Sequence, residues 1–100
     1  MGLVVQKYGG TSVANVDLIK NVARRIIRTK EQGNQVGAVV SAMGDTTDEL
    51  VQLTRQITPR PDPREMDLLL STGEIISCTL LSMALKAAGH EAVSLSGAQA

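Results

Sequence analysis

The first third of the chain combines two patterns of apolar residues. A short apolar run at 3–5 predicts a buried strand. After a polar loop, apolar residues recur every three or four positions, which predicts a helix with one buried stripe formed by Ile19, Val22, Ala23, Ile26 and Ile27. Asn15 is placed to cap this helix and Gly33 to end it.

The same order of elements recurs at 36–57. The apolar run at 36–42 does not alternate with polar residues, so it predicts a strand covered on both faces. Thr46 and Glu49 then form a capping-box pattern, which predicts the start of a second helix. All three prolines fall within 58–63, where they predict a stiff connector.

Residues 66–88 carry apolar side chains on several sides of a predicted helix, which Asp62 and Pro63 are placed to begin. We therefore expect one largely buried helix, or two helices separated near Gly73. Glu74 lies inside this stretch, and an ionised carboxylate there needs a partner or a wet cleft because its burial is costly. Alternatively, residues 71–74 form a capping box, in which Glu74 only stabilises a second helix start.

Residues 92–95 predict a third short strand, which a polar loop at 96–99 follows. The order of strands and helices is that of right-handed βαβ units, so the expected fold class is α/β with a parallel sheet. Residues 1–100 have the length of one small domain. Because three parallel strands leave two open edges, we expect the functional domain to extend beyond this segment.

The composition excludes several classes of function. Ten basic and ten acidic residues give a formal net charge of zero, and one residue is aromatic, so no nucleic-acid partner is expected. No apolar run approaches the roughly 20 residues of a membrane span, and no signal peptide is recognisable, so we expect a cytoplasmic protein without a membrane partner. Cys78 is expected to be a small buried hydrophobe and His90 a surface or cap residue, which leaves no metal site.

The loop after the first strand, KYGGTSV at 7–13, is the strongest candidate for chemistry. Gly9 and Gly10 let the backbone turn, and the free N–H groups of such a turn favour an anion together with the start of the next helix. Lys7 adds a positive charge beside them. The pattern predicts a phosphate site, although a lysine before an ordinary Gly-Gly turn has the same sequence.

Absent motifs and the remaining polar groups together indicate the type of reaction. The sequence lacks the P-loop motif GxxxxGK[ST] and the Rossmann dinucleotide-binding motif GxGxxG. It also lacks the motif GxSxG, which positions a nucleophilic serine. A lysine, backbone donors, hydroxyl groups and a carboxylate suit phosphoryl transfer, in which the protein aligns the reactants and neutralises charge. A carboxylate acceptor needs no general base, since its pKa of about 4 leaves it ionised at neutral pH.

Four segments carry a family resemblance. KYGGTSV at 7–13, VVSAMGDTTDEL at 39–50, STGEIIS at 71–77 and SLSGAQA at 94–100 resemble the N-terminal part of the aspartate kinases, in the amino acid kinase superfamily. The resemblance implies a three-layer α/β/α sandwich on a mainly parallel sheet, of which these residues are the N-terminal portion of the catalytic domain.

The resemblance also implies roles for individual residues. Lys7 is expected to contact the transferring phosphate, Thr47 the aspartate, and Glu74 is expected to assist in substrate binding and catalysis. The expected ATP-binding residues are Lys7, Tyr8, Gly9, Gly10 and Ser41.

The implied reaction is that of MgATP with L-aspartate to give 4-phospho-L-aspartate and ADP, the first step toward lysine, threonine and methionine. Mg²⁺ is expected to arrive with the nucleotide, and the full-length protein is expected to be a homo- or hetero-oligomer. The second half of the nucleotide site and the regulatory ACT domains are not among these 100 residues. We therefore predict no kinase activity from the segment alone.

Two alternatives stay open. Another amino acid kinase, acting on glutamate, N-acetylglutamate or a nucleotide monophosphate, uses the same chemistry, although the TTD sequence at 46–48 favours aspartate. A non-catalytic fragment that binds anions or assembles with a partner uses its open sheet edges and its long apolar helix for association.

Overall fold

The computed structural model describes residues 2–95, and every structural statement below concerns that part of the chain. The predicted loop at 96–99 lies outside the described residues. Five elements follow one another along the chain: β1 (Leu3–Tyr8), α1 (Val16–Glu31), β2 (Gln35–Val40), α2 (Thr46–Ile57) and α3 (Pro63–Ala87).

The sheet is one βαβ unit, as predicted for the first third of the chain. β1 and β2 pair in parallel, in a register that runs from Leu3 opposite Gln35 to Tyr8 opposite Val40, and α1 connects them. Within residues 2–95 the sheet has two strands.

The predicted third strand at 92–95 is wrong. Residues 91–95 have no regular secondary structure. The Ser94 hydroxyl donates a 3.0 Å hydrogen bond to the carbonyl oxygen of Cys78 and lies 2.7 Å from the hydroxyl oxygen of Ser82. This segment therefore lies along α3 and not beside a strand with which it could pair. Cys78 is half-buried beside the core, less enclosed than expected.

The core lies on one face of the sheet. The predicted stripe of α1 is confirmed, since four of its five positions are buried and Ile27 is half-buried. The stripe packs against the sheet and α3, and the buried apolar side chains are Tyr8, Val13, Ile19, Val22, Ala23, Ile26, Val40, Ala42 and Leu81. On the other face Leu3, Val5 and Val39 are more than half exposed. Residues 2–95 thus form one helical layer on a sheet whose second face is open.

The ends of α1 follow their sequence signals, whereas the start of α2 does not. The Oδ1 atom of Asn15 accepts a 2.9 Å hydrogen bond from the N–H of Leu18, and Gly33 follows the helix end with φ of 92°. α2 has Asp45 at its N-cap without a side-chain hydrogen bond. The predicted capping box of Thr46 and Glu49 is wrong because Thr46 is already the first helical residue.

α3 begins as predicted, and it is the single helix of the two expected alternatives. Asp62 accepts a 3.0 Å hydrogen bond from the N–H of Glu65, and Pro63 is the first helical residue. The helix passes through Gly73 without a break, and the Ser71 hydroxyl donates to the carbonyl oxygen of Leu68 within it. One continuous helix is therefore confirmed, whereas the alternatives of a break near Gly73 and of a capping box at 71–74 are wrong.

The expected burial of α3 is also wrong. Only Gly73, Ser77 and Leu81 are buried, whereas Leu68 and Met83 are 65% and 64% exposed. The reason is that α3 packs against α1, α2 and β2 along one side, and no other element of residues 2–95 covers its remaining surface.

The expectation about membrane spans also needs a correction. α3 has 25 residues, and an 18-residue stretch of it has a mean hydropathy of 1.7, which suffices by length and composition to cross a membrane. Serine, threonine and glycine interrupt its apolar runs but lower the mean hydropathy only slightly. A long core helix has the same character, so this property alone does not indicate a membrane.

Candidate functional site

The polar loops that follow β1 and β2 are joined at one edge of the sheet. The N–H of Ser41 donates a 3.0 Å hydrogen bond to the carbonyl oxygen of Tyr8, and the N–H of Gly44 donates a 3.2 Å hydrogen bond to that of Gly10. The carboxyl ends of parallel strands meet at such an edge, where ligands bind in α/β folds. The predicted convergence of these two loops is confirmed.

The glycine turn leaves backbone donors free. The turn is closed by hydrogen bonds from the N–H groups of Ser12 and Val13 to the carbonyl oxygens of Gly9 and Gly10, at 3.0 and 3.3 Å. Within residues 2–95, the N–H groups of Gly9, Gly10 and Thr11 donate no hydrogen bond to the protein. Successive unpaired N–H groups in a turn form an anion-binding concavity. Val13 is fully buried and anchors the turn in the core.

Lys7 and Tyr8 point to opposite faces of the sheet. Tyr8 is 8% exposed and packs on the face that α1 and α3 cover, whereas Lys7 is exposed. Because successive side chains of a strand alternate between its faces, the Lys7 side chain lies on the open face. A positive charge therefore stands on the strand directly before the free N–H groups.

The Tyr8 hydroxyl is engaged by the protein. It donates a 2.7 Å hydrogen bond to Oε1 of Gln6, whose Nε2 donates a 2.9 Å hydrogen bond to Oγ1 of Thr29. Thr29 in turn donates to the carbonyl oxygen of Arg25 at 3.1 Å. This chain of hydrogen bonds fixes the end of β1 against α1. Sequence reasoning missed Gln6 and Thr29, since neither residue belongs to a recognisable motif.

α3 approaches the loop after β2 through Gly73. A Cβ atom built on Gly73 would lie 2.8 Å from the Cβ of Ala42 and 3.3 Å from Cγ2 of Thr46. On the other side, a Cβ atom on Gly10 would lie 3.1 Å from the carbonyl oxygen of Ala42. Ala42, which is 6% exposed, therefore lies between two glycines. A side chain at residue 73 would overlap with it, and one at residue 10 would form a tight contact with it.

The remaining candidate residues are neighbours of this contact. Thr47 follows Thr46, Ser41 precedes Ala42, and Glu74 follows Gly73; all three candidates are exposed. The expected burial of Glu74 is wrong because α3 packs on one side only. Backbone hydrogen bonds between the two loops thus bring Tyr8, Gly10 and Ser41 close together. Thr47 and Glu74 are each one residue beyond Thr46 and Gly73, which contact one another.

A shallow depression of about 560 Å³, open to solvent, lies beside β1 and the second half of α1. The charged residues that line it are all basic, and the two that belong to α1 are Arg25 and Arg28, so an anion is the ligand that its charge favours. Helical periodicity assigns Arg25 and Arg28 to the solvent face of α1, and only the structure shows that they line this space. The lining residues are Gln6, Lys7, Tyr8, Arg25, Arg28, Thr29 and Gln32.

No cluster of three or more histidine, cysteine, aspartate or glutamate side chains suited to a metal ion occurs within residues 2–95. The free N–H groups of the glycine turn and the Lys7 ammonium are instead suited to phosphate oxygens, which accept hydrogen bonds and carry negative charge. The arrangement can therefore bind a phosphate group at the end of β1.

Known proteins of one family are similar to this chain. The model of a family described as "Amino acid kinase family" matches residues 2–100. "Aspartokinase" of Mycolicibacterium smegmatis is 58% identical over 100 residues, and "Aspartokinase 2" of Bacillus subtilis (strain 168) is 57% identical over 100 residues. Each alignment covers 100% of this chain and 24% of the relative. The chain thus spans about a quarter of the length of these relatives.

One solved structure is similar over nearly the whole chain. It is described as the crystal structure of aspartate kinase from Synechocystis, and it superimposes with a TM-score of 0.94 at 58% sequence identity. The match covers 97% of this chain and 17% of that chain. This confirms the predicted α/β fold class, with the present residues forming one portion of the larger fold.

Proposed function

The chain belongs to the amino acid kinase family, and from this premise we propose that residues 1–100 are the N-terminal part of the catalytic domain of an aspartate kinase. The protein that carries them transfers the γ-phosphoryl group of ATP to the side-chain carboxylate of L-aspartate. The products are 4-phospho-L-aspartate and ADP, in the first step toward lysine, threonine and methionine. The full-length protein acts in the cytoplasm as a homo- or hetero-oligomer.

One observation carries this proposal: the N–H groups of Gly9, Gly10 and Thr11, which have no acceptor among residues 2–95, follow directly on the strand that bears Lys7. The N–H groups bind oxygens of the ATP phosphates, and the Lys7 ammonium neutralises charge on the group that is transferred. Such donors need no reorganisation during the reaction, because the turn is already closed by its own hydrogen bonds. Mg²⁺ bound to the nucleotide supplies further neutralisation of the phosphate charge.

The acceptor is bound by groups of α2 and α3. The Thr47 hydroxyl binds the aspartate, and the Glu74 carboxylate pairs with the substrate ammonium. Both side chains are exposed in residues 2–95, so a ligand can reach them. The acceptor carboxylate is ionised at neutral pH and attacks phosphorus directly, which fits a site without a general base.

The test uses the full-length protein that carries this sequence. ADP formation is measured with MgATP and L-aspartate, and hydroxylamine traps the acyl phosphate product as a hydroxamate. Replacing Lys7 with methionine is expected to lower kcat by about a hundredfold or more, the loss typical of one donor that stabilises transition-state charge. Lys20→Met is the matched control, because Lys20 is an exposed lysine of α1 away from the glycine turn.

The outcomes separate the alternatives. ADP formation with glutamate, N-acetylglutamate or a nucleotide monophosphate but not with aspartate indicates another amino acid kinase. Equal activity of the Lys7→Met and Lys20→Met variants contradicts the role of Lys7. The isolated 100-residue chain is expected to form no ADP, and turnover by it at an enzymatic rate contradicts the proposal that it is half of a site.

The open sheet face favours a second function, association with a partner. Leu3 and Val5 of β1 are 70% and 62% exposed, and Val39 of β2 is 54% exposed on the same face. A non-catalytic assembly fragment is expected to oligomerise in size-exclusion chromatography without protection by ATP. A kinase segment instead shows nucleotide-dependent protection in the full-length protein.

A further inference from the structure

Glycine at position 73 is unfavourable for the helix that contains it. Glycine in a helix interior is less favourable than alanine, because its backbone loses more freedom on folding. α3 runs without a break from Pro63 to Ala87, and Gly73 is buried in it. No turn or positive φ requires glycine there, since positive φ occurs at Gly33, Gly44 and Gly89 among residues 2–95. The reason for glycine must therefore be the neighbouring atoms.

Those atoms leave no space for a methyl group. The Cβ of Ala42 lies 2.8 Å from the position of a Cβ at residue 73. Optimal contact between two carbon atoms is about 3.5–4.0 Å, so a methyl group there pushes α3 and the loop after β2 apart by about 1 Å. Cγ2 of Thr46, 3.3 Å from the same position, restricts movement toward α2.

Ala42 cannot yield easily in the opposite direction. On one side of it in the chain, the N–H of Ser41 donates to the carbonyl oxygen of Tyr8 at 3.0 Å, and on the other side the N–H of Gly44 donates to that of Gly10 at 3.2 Å. Movement of Ala42 away from α3 therefore strains the hydrogen bonds that hold this loop to Tyr8 and Gly10. α3 is the element free to move, because its outer side is uncovered within residues 2–95.

We propose that Gly73 is a positioning residue, which sets the distance between α3 and the loop after β2 and thereby holds Glu74 in register with Thr47. The inference rests on the proposed function, in which these two residues bind aspartate. Gly73 acts through Ala42 and Thr46 and contacts no substrate itself. The absence of a side chain at residue 73 matters more for the aspartate half of the site than for the ATP half, since the ATP-binding turn is closed by hydrogen bonds among its own residues.

The experiment is a double-mutant cycle of Gly73 and Ala42 in the full-length protein. Gly73→Ala is expected to raise KM for aspartate by about tenfold or more, since a misplacement of 1 Å can cost a hundredfold. KM for ATP is expected to change less than about twofold, because the glycine turn keeps its hydrogen bonds. Ala42→Gly removes the methyl group that a side chain at 73 meets, so the double variant Gly73→Ala/Ala42→Gly is expected to regain most of the affinity for aspartate.

Gly37→Ala is the matched control. Gly37 lies in β2, and the atom nearest to its Cβ position is Cγ2 of Val5 at 4.0 Å, an ordinary contact. This variant is expected to keep both KM values. The Ala42→Gly single variant is likewise expected to change KM for aspartate much less than Gly73→Ala.

The KM values of these variants decide whether Gly73 has a positioning role. Equal changes in KM for aspartate and ATP, unchanged KM values in Gly73→Ala, or no recovery in the double variant overturn the inference. If Gly73→Ala does not fold, recovery of folding and of KM for aspartate in the double variant supports the inference, and failure of that recovery overturns it. An unmodified protein that forms no ADP with aspartate contradicts the proposed function, whereas an active protein insensitive to Gly73→Ala contradicts the positioning role alone.

Discussion

The N–H of Ser41 donates a 3.0 Å hydrogen bond to the carbonyl oxygen of Tyr8, and this bond extends the pairing of β1 and β2 by one residue beyond the end of β2. The hydrogen bond from Gly44 to Gly10 follows it at 3.2 Å. The two loops are therefore one hydrogen-bonded unit, so a change in either loop is expected to affect both.

The first prediction concerns the two glycines of the turn. Gly10→Ala is expected to lower the free energy of unfolding by about 1–3 kcal/mol, because the new methyl group meets the backbone oxygen of Ala42 at 3.1 Å. Gly9→Ala is the control, since no atom lies within 4 Å of its Cβ position. Denaturant unfolding of the two variants measures the difference, and equal midpoints contradict the prediction.

The second prediction concerns the hydroxyl of Tyr8. Tyr8→Phe leaves Oε1 of Gln6 without its 2.7 Å donor, so a loss of about 1 kcal/mol in the free energy of unfolding is expected. A double-mutant cycle with Gln6→Leu checks the assignment: additive losses of stability show that the two side chains do not interact in solution.

The third prediction compares two helix starts. Asn15→Ala is expected to cost about 1 kcal/mol of stability, because the side chain of Asn15 accepts the N–H of Leu18. Asp45→Ala is expected to cost less than about 0.5 kcal/mol, since Asp45 makes no side-chain cap hydrogen bond. Thermal unfolding of both variants against the unmodified protein gives the comparison, and a larger loss for Asp45→Ala refutes it.

What could be predicted from the sequence is what neighbouring residues determine. The caps at Asn15 and Asp62 and the stripe of α1 depend on spacing within one helix, so local pattern was sufficient. The meeting of the loops after β1 and β2 follows from the parallel order of a βαβ unit.

The errors concern contacts between distant residues. The burial of α3 depends on which elements cover it, and hydrophobicity alone does not reveal that one side stays open in residues 2–95. Gly73 resembled a helix breaker in sequence, whereas its role depends on Ala42, which is 31 positions earlier in the chain. Nothing local in either segment indicates this approach.

The last prediction follows from the exposure of Glu74. A carboxylate buried among apolar side chains strains the fold, so its neutralisation by Glu74→Gln would alter stability strongly. Glu74 is instead exposed, and Glu74→Gln is expected to change the free energy of unfolding by less than about 0.5 kcal/mol. KM for aspartate is nevertheless expected to rise by roughly tenfold to a hundredfold, since a hydrogen bond to a charged group contributes about 1.5–3 kcal/mol.

Asp67→Asn removes a comparable exposed charge from the same helix, more than one turn before Gly73, and is expected to alter neither quantity. Denaturant unfolding and initial rates at varied aspartate concentration measure both variants in the full-length protein. A large change in stability with unchanged KM for Glu74→Gln would assign Glu74 to the fold and remove it from the site. The expected result is unchanged stability with a raised KM. It requires that water surrounds the Glu74 carboxylate in the free protein and that the substrate ammonium replaces this water on binding.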